Sequence, residues 1–307
     1  MTSERWHAPV MVKEAMEYLQ PERGGLYFDG TLGGGGHAEE ILKASPESRV
    51  MGVDRDREAL DESGRRLSAW SDRVQWVHDD FAHAAETVTE PLSGALLDLG
   101  VSSHQIDELD RGFSFRTGAQ LDMRMSAESG GPTAADLLNT LEERELADVF
   151  FHYGEERRSR RLAAEVVKRR RTQAFRTADD LVAAMTTALG ANQSMRAKAK
   201  IFQALRIAVN EEATQLQRAL PLLRDRLADG GVFVVLSYHS LEDRQVKESF
   251  REWSKGCVCP PDLPVCACGR SPMGKELTRK PRVPTEAEAE SNPRARSAKL
   301  RAWRKAA

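Results

Sequence analysis

The 307-residue sequence lacks any apolar run that approaches the roughly 18 residues needed to span a bilayer. Met1–Val10 shows no charged flank followed by an apolar stretch, so we expect no secretory signal. Cysteine is scarce, and all four cysteines lie within residues 257–268, which excludes a chain-wide disulfide framework. With 40% apolar and 30% charged residues, the composition predicts a globular cytoplasmic enzyme or binding protein.

The net charge is close to zero, at −2, but positive and negative residues are unevenly distributed along the chain. Gly154–Arg176 contains nine Lys or Arg residues and three Glu, and Arg270–Ala307 contains eleven and four. These two segments carry +6 and +7, so the remaining 246 residues carry −15. Such asymmetry favours a nucleic-acid partner, although Arg-rich helices are equally often only solvated faces.

Short apolar runs alternate with helical patterns over the first hundred residues. The runs at 26–29, 49–54, 73–77 and 94–98 are typical of buried strands. Their alternation with helices predicts an α/β fold with a parallel sheet covered on both faces. Three of the four strands end in an acid, namely Asp29, Asp54 and Asp98, at the edge where such sheets bind ligands.

The alternation stops after about residue 110, and helical patterns follow, including one long pattern over 197–228. A buried strand is predicted at 232–237, and weaker strands near 277–282 and 299–303. We therefore predict one α/β domain interrupted by a helical insertion. The expected boundaries are 1–110 and 215–307 for the two parts of the core, and 111–214 for the insertion.

A glycine-rich segment follows the first strand and is typical of an anion or nucleotide cradle. Gly33, Gly35 and Ala38 match the pattern G-x-G-x-x-(G/A), and Asp54 lies nineteen residues after Gly35, where a ribose-binding acid belongs. This pattern fits a nicotinamide-dependent dehydrogenase. It also fits an S-adenosylmethionine enzyme, whose first strand tends to end in an acid such as Asp29, and a glycine-rich connection without a ligand is a third reading.

The next two strand ends favour the S-adenosylmethionine enzyme. Asp79, Asp80 and Phe81 follow the third strand and suit an adenine, although an aromatic residue there is more often part of the core. Asp98 ends the fourth strand, where amino-group methyltransferases place the polar group that meets the target amine.

The cysteines form the pattern CxC-x6-CxC. Four thiolates at Cys257, Cys259, Cys266 and Cys268 could hold a structural zinc ion in a reducing compartment. Free thiols and a redox-sensitive loop are the alternatives, and the pattern alone does not choose between them.

Eight motifs, including the glycine segment and the segment that begins at Asp98, occur in family order over nearly the whole chain. Together they resemble those of the RsmH (MraW) family. Members of this family are bacterial S-adenosylmethionine-dependent methyltransferases of 16S ribosomal RNA. The motifs are DGTLGGGGH at 29–37, DLGVSS at 98–103, RGFSF at 111–115, LDMRM at 121–125, YGEER at 153–157, FQALRI at 202–207, SLEDR at 240–244 and NPRARS at 292–297. One departure is the run Ser194–Lys200, where many members carry a His-Pro-Ala-Thr-Arg sequence.

The resemblance implies a class I (Rossmann-like) methyltransferase sheet with an inserted all-helical domain. It also implies methylation of the exocyclic amine of a cytidine in the decoding region, in small-subunit RNA or the assembled subunit. Cofactor contacts would fall on Gly35, Gly36, His37, Asp54, Phe81, Asp98 and Gln105.

Catalysis of such a transfer needs a hydrogen-bond acceptor that turns the amine lone pair toward the methyl group. Asp98 is the first candidate for this acceptor, and His239 is a weaker candidate base that could equally be structural. Phe113 and Phe115 could stack an unstacked base or could be buried, and the arginine runs at 157–161 and 168–171 suit phosphates.

Three other classes compete with this interpretation. A nicotinamide-dependent oxidoreductase would leave both basic segments unexplained. A non-catalytic RNA-binding protein would be expected to have a broken cofactor loop, and this loop is intact. A DNA amino-methyltransferase would be expected to carry a Pro-Pro-Tyr-type motif at a strand end, which the sequence lacks.

Overall fold

The computed structural model describes residues 9–102, 105–106, 108–126, 130–259 and 268–307. The chain folds into two compact units. The described residues of 7–100 and 214–307 form one, the sheet unit, and those of 101–213 form the other, the helical unit. The helical unit thus interrupts the sheet unit along the chain.

Among the described residues, seven strands form a single sheet in the order β3-β2-β1-β4-β5-β7-β6. The strands are β1 (Gly25–Asp29), β2 (Ser48–Asp54), β3 (Val74–His78), β4 (Leu92–Asp98), β5 (Leu227–Ser237), β6 (Gly274–Glu276) and β7 (Lys299–Lys305). Strands β1 to β5 are parallel, whereas β7 runs antiparallel to both β5 and β6. The α/β fold predicted from the alternating pattern is confirmed.

The strand order reverses beside the central strand, and open parallel sheets have their ligand crevice at such a point. The chain proceeds outward from β1 through β2 to β3, then returns to the other side of β1 with β4 and β5. The point where the order reverses lies between β1 and β4, and ligands of open parallel sheets bind at the carboxyl ends of the strands there.

Helices cover both faces of the sheet, which explains the nearly continuous apolar runs in β4 and β5. One face packs around Phe28, Phe233 and Trp303, and the other around Tyr27, Ile41 and Leu236. The helices of the sheet unit are α1 (Val12–Leu19), α2 (Gly36–Ala44), α3 (Arg57–Arg66), α4 (Phe81–Thr87), α11 (Ser240–Trp253) and α12 (Glu286–Ser291).

The helical unit has a core of its own, built around side chains such as Leu146, Phe150 and Leu181. Thr133 and Thr177 each cap a helix with the reciprocal hydrogen bonds of a capping box. The helices of this unit are α5 (Ala134–Thr140), α6 (Glu143–His152), α7 (Ser159–Arg170), α8 (Ala178–Leu189) and α9 (Met195–Asn210), and α10 (Glu212–Arg226) follows into the sheet unit.

Two predictions about elements were wrong in detail. The helical pattern over 197–228 is two helices, α9 and α10, because Glu211 adopts a left-handed conformation with φ of 53° that ends α9. The predicted strand near 277–282 is only an isolated bridge from Arg282 to Leu300, and the edge strand is β6 instead. Within the described ranges, no helix is both long and apolar enough to cross a membrane.

Candidate active site at the carboxyl edge of the sheet

Three carboxylates lie at the carboxyl ends of three adjacent strands. Asp29 ends the central strand β1, Asp54 ends β2 on one side of it, and Asp98 ends β4 on the other. Parallel pairing places Asp29 beside Gly52 and Leu96, so Asp54 and Asp98 each extend two residues beyond it. The three acids therefore surround the crevice at the reversal point.

Asp29 is buried at the bottom of this crevice, with 1% of its surface exposed. Its Oδ1 accepts a hydrogen bond of 3.3 Å from the Thr31 N–H. Its Oδ2 is buried and has no hydrogen-bond partner among the described residues. Burial raises the pKa of Asp29 to about 7, although the neighbouring His37 opposes the shift. An unsatisfied buried carboxylate oxygen of this kind indicates a place for a ligand donor.

Asp54 anchors the glycine-rich loop. Its Oδ2 accepts a 2.8 Å hydrogen bond from the Gly33 N–H, and its Oδ1 accepts one of 2.9 Å from the Asp56 N–H. Burial raises the pKa of Asp54 to about 6, while these backbone hydrogen bonds oppose the shift. The carboxylate also accepts from the Arg55 N–H, so it fixes the loop and retains one of its roughly four acceptor positions for a ligand hydroxyl.

The glycine loop requires glycine for local reasons. Gly33 and Gly35 have φ of +51° and +78°, a region that other residues rarely adopt. A Cβ on Gly36 would lie 2.7 Å from the Pro9 side chain. Gly35 provides no side chain to cap α2, and the N–H groups of the first helical turn have no intrahelical acceptor. The loop therefore leads into a helix N-terminus that suits an anionic group.

His37 lies in the first turn of α2 and faces Asp98. Its Nε2 is 3.0 Å from the carbonyl oxygen of Val10. A carbonyl oxygen only accepts, so Nε2 carries a hydrogen. Its Nδ1 is 3.9 Å from Oδ2 of Asp98, which is beyond direct hydrogen-bond distance.

Asp98 is held by contacts on both its backbone and its side chain. The Asp98 N–H donates to Thr31 Oγ1 at 2.6 Å, and the hydroxyl of Tyr238 donates to Asp98 Oδ1 at 2.7 Å. Burial raises the pKa of Asp98, while His37 and Tyr238 oppose the shift. About 20% of the Asp98 side chain is exposed, and Oδ2 is the oxygen that Tyr238 does not contact.

Tyr238 is a residue of this site whose hydrogen bond to Asp98 was not predicted from the sequence. It follows β5 directly, and burial raises its pKa well above the usual tyrosine value. The phenol therefore stays protonated and donates to Asp98 over the accessible pH range. The available signal was its position at the end of a fifth parallel strand, next to the strand that ends in Asp98.

His239 begins helix α11 and is engaged by that helix. Its Nδ1 accepts from the Glu242 N–H at 3.4 Å, and its Nε2 lies 3.0 Å from Glu242 Oε1. Glu242 in turn accepts from the Tyr238 N–H at 3.0 Å. These contacts support a structural role for His239 as a helix cap.

Phe81 and Gln105 are the remaining residues of the predicted cofactor site. Phe81 is the first residue of α4, is partly buried and packs on the sheet core beside Gly30. Gln105 belongs to the helical unit, where it is buried and its Oε1 accepts from the Ser102 N–H at 3.0 Å. The sheet unit itself brings together the glycine loop, His37, Asp54 and Asp98.

The charge of this edge is unbalanced. Within the part of the chain that the structure describes, Asp29, Asp54 and Asp98 form no ion pair with Lys or Arg. Buried carboxylates without a cationic partner are costly, and this cost appears as their raised pKa values. A ligand that brings positive charge would remove much of it.

Comparisons with known proteins identify the family of this chain. The model of the MraW methylase family matches residues 4–306. A ribosomal RNA small subunit methyltransferase H from Geotalea uraniireducens is 49% identical over 97% of this chain and 98% of its own length. The protein of the same name from Heliobacterium modesticaldum is 48% identical, with the same coverage of both chains.

A solved rRNA methylase from Streptococcus thermophilus aligns over 98% of this chain and 99% of its own, with a TM-score of 0.45 and 10% identity. The family match extends over nearly the whole chain, and the two relatives are similar along nearly their full length. The chain belongs to the MraW methylase family, and it is a methyltransferase.

Proposed function

We propose that the chain transfers a methyl group from S-adenosylmethionine to the exocyclic amine of a cytidine in the decoding region of 16S ribosomal RNA. The observation that carries this proposal is the position of Asp98, a fixed and accessible carboxylate at the reversal point of the sheet. The names of the relatives support the small ribosomal subunit as the source of the RNA. Such a substrate implies action in the cytoplasm.

The residues of the crevice fit S-adenosylmethionine. Its ammonium group would supply the donor that the buried Oδ2 of Asp29 lacks among the described residues. Its carboxylate would suit the first turn of α2, and a ribose hydroxyl would suit the acceptor position that remains on Asp54. When bound, the cofactor supplies an electrophilic methyl group on a positively charged sulfur.

The protein contributes geometry more than acid–base chemistry. A cytosine amine is a poor nucleophile because its lone pair is delocalised into the ring. An acceptor for an amine hydrogen turns that lone pair out of the ring plane and toward the methyl group. We assign this role to Asp98 Oδ2, because Oδ1 is already occupied by the Tyr238 hydroxyl. Holding the amine and the methyl carbon in line is a proximity contribution.

The helical unit offers a basic face for RNA phosphates. Arg157, Arg160 and Arg161 are exposed at the start of α7, and none of them forms an ion pair with another described residue. Other arginines of α7 make contacts within the protein. Arg170, for example, donates to the carbonyls of Leu138 and Leu141. Lys168 and Arg171, near the other end of α7, are also exposed and form no ion pair with a described residue, and contacts of such charges with phosphates position RNA without reading its sequence.

Phe113 and Phe115 are less suited to stacking a base. Both are partly buried and pack against the core of the helical unit, and the ring of Phe115 lies edge-on to Phe202 at 5.7 Å. Their contacts support a packing role. The target base must still leave its stack to reach Asp98.

Transfer of a radiolabelled methyl group tests the proposal most directly. Purified protein is incubated with labelled cofactor and, separately, with small subunits, naked 16S RNA or DNA, and the products are digested to nucleosides. We expect label in N4-methylcytidine from small subunits or 16S RNA. Label only in DNA, in another nucleoside, or in no substrate would contradict the proposal, and the two RNA arms separate naked RNA from the assembled subunit.

A further inference from the structure

Three cysteines lie close together in the loop between α11 and β6. This loop is distant in the sequence from the strand-end acids Asp29, Asp54 and Asp98. The sulfur atoms of Cys257, Cys259 and Cys268 all lie within 4.8 Å of one another. We propose that these three thiolates bind a structural zinc ion. Cys266, the fourth cysteine of the sequence pattern, lies outside the described residues.

The spacing of the sulfur atoms matches metal ligands and not a disulfide. Cys257 Sγ and Cys268 Sγ are 3.7 Å apart. Zinc–sulfur bonds of about 2.3 Å in tetrahedral geometry place two sulfur ligands about 3.8 Å apart. A disulfide would bring them to about 2.05 Å. The observed separation is therefore that of one edge of a zinc-centred tetrahedron.

A backbone contact supports the thiolate form of one ligand. The Cys259 N–H donates to Cys257 Sγ at 3.4 Å. Hydrogen bonds to ligand atoms orient those ligands and tune their basicity. Two cysteines separated by a single residue can thus share one ion while the backbone between them stabilises the charge on the first sulfur.

The loop between α11 and β6 has two described arms that a zinc ion could cross-link. Its ends are fixed, because the Met273 N–H donates to the Trp253 carbonyl at 2.9 Å and Arg270 pairs with Glu252 at 2.7 Å. Between these ends, the described residues 254–259 and 268–272 contain neither helix nor strand. A zinc ion bound by Cys257, Cys259 and Cys268 would join the two described arms.

Zinc is the metal that this ligand set favours. Thiolate ligands select borderline-soft cations, and structural zinc sites use them in tetrahedral sets. Each cysteine thiol releases its proton on binding, so affinity increases with pH. Three thiolates occupy three tetrahedral positions and leave the fourth to a ligand outside this group.

Elemental analysis of the intact chain tests the site. Full-length protein and the variants Cys257→Ser, Cys268→Ser and Val258→Ala are purified from zinc-supplemented cultures without chelators. Val258 is exposed and lies between two of the cysteines, so its variant alters the loop and spares the thiols. We expect about one zinc per chain in the parent and in Val258→Ala, and at least tenfold less in each cysteine variant. Equal zinc content in all four proteins, or only traces in the parent, would overturn the proposal.

Alkylation of the native protein provides a second measurement that does not depend on the variants folding. Iodoacetamide is applied with and without a chelator, and the labelled cysteines are identified by mass spectrometry. We expect Cys257, Cys259 and Cys268 to be labelled at least tenfold more slowly until the chelator is added. Rapid labelling without the chelator, or labelling that requires a reductant, would show free thiols or a disulfide and would refute the zinc site. Neither measurement depends on methyl transfer, so failure of the proposed function would leave them unaffected.

Discussion

The hydroxyl of Tyr238 donates a 2.7 Å hydrogen bond to Oδ1 of Asp98, joining residues 140 positions apart in the sequence. The contact exists because β4 and β5 are adjacent and parallel, with Asp98 beside Leu236. It leaves the second carboxylate oxygen of Asp98 toward the crevice. Tyr238 is thus a positioning residue for the proposed acceptor.

Removal of the Tyr238 hydroxyl should slow methyl transfer. A hydrogen bond to a charged group contributes about 1.5–3 kcal/mol, so we expect Tyr238→Phe to lower kcat by roughly 10- to 100-fold with little change in the KM for cofactor. Steady-state kinetics on small subunits measure both values. Tyr27→Phe is the matched control, because it also loses a hydroxyl contact in the sheet unit, to the Gln20 carbonyl. Equal effects in the two variants would assign Tyr238 a purely structural role.

Neutralising Asp98 should slow methyl transfer more than removal of the Tyr238 hydroxyl does. Asp98→Asn keeps the shape of the side chain but removes the charge that accepts from the amine, and we expect kcat to fall at least 100-fold at saturating cofactor. Cofactor affinity is measured separately by calorimetry, because Asp98 is also a predicted cofactor contact. Asp225→Asn alters an exposed acid and serves as the control. Unchanged turnover in Asp98→Asn would eliminate Asp98 as the acceptor.

Cofactor affinity should depend on pH through Asp29. Burial raises the pKa of Asp29 from 3.8 to about 7 in the protein without ligand, and a cationic ligand favours the ionised form. Affinity should therefore increase as the pH rises from about 5.5 to 8. Calorimetric titrations across this range measure the effect. Asp29→Asn should bind more weakly and lose most of the pH dependence, whereas a parallel profile in this variant would rule out Asp29 as the titrating group.

The raised pKa of Asp29 also predicts how the stability of the folded protein depends on pH. The folded-state pKa of Asp29 is above the unfolded value, so the folded protein binds the proton more tightly. This contribution to stability is fully present below about pH 4 and is lost as the pH rises through about 7. Denaturant unfolding of the ligand-free protein should show it as a difference between the parent and Asp29→Asn that changes across this window. A constant difference would contradict the assigned burial effect.

Replacing glycine with alanine should have opposite effects on stability in the glycine loop and in an ordinary helix. Gly35 has a φ of +78°, and a Cβ there would lie 3.2 Å from Leu67 and Ser63, so Gly35→Ala should cost about 1–2 kcal/mol and weaken cofactor binding. Gly64 lies within α3 with open space around it, so Gly64→Ala should stabilise by about 0.5–1 kcal/mol. Chemical denaturation and calorimetry compare the pair. Similar shifts in both would show that the loop conformation carries no special strain.

The basic face of the helical unit should govern RNA affinity. Replacing Arg157, Arg160 and Arg161 with Ala together should reduce the slope of log affinity against log salt by about 2, since each phosphate contact contributes roughly 0.7 for single-stranded RNA. Cofactor affinity should stay constant. Arg49→Ala in the sheet unit, an arginine paired with Glu90, is the control. An unchanged salt slope in the triple variant would place the RNA elsewhere.

The sequence by itself determined the α/β fold and the three strand-end acids. Alternating strands and helices leave a parallel sheet as the arrangement that buries runs such as β4 and β5, and its carboxyl edge then collects Asp29, Asp54 and Asp98. The eight motifs carried the family, because their identity and order are properties of the sequence alone. Periodicity located helices but not the break at Glu211, since a single residue can change the path of the chain without altering the apolar pattern.

Only the tertiary structure decided what individual side chains do. Asp54 holds the Gly33 N–H, and Tyr238 holds Asp98, because sheet pairing brings together residues that are far apart in the chain. The three described cysteines are likewise related by the distances between their sulfur atoms, whereas the CxC pattern alone left zinc, free thiols and a redox loop open. Hydrogen bonds and metal sites depend on interatomic distances that must be correct to within a few tenths of an ångström. A sequence pattern suggests which residues share a site, but it does not determine these distances.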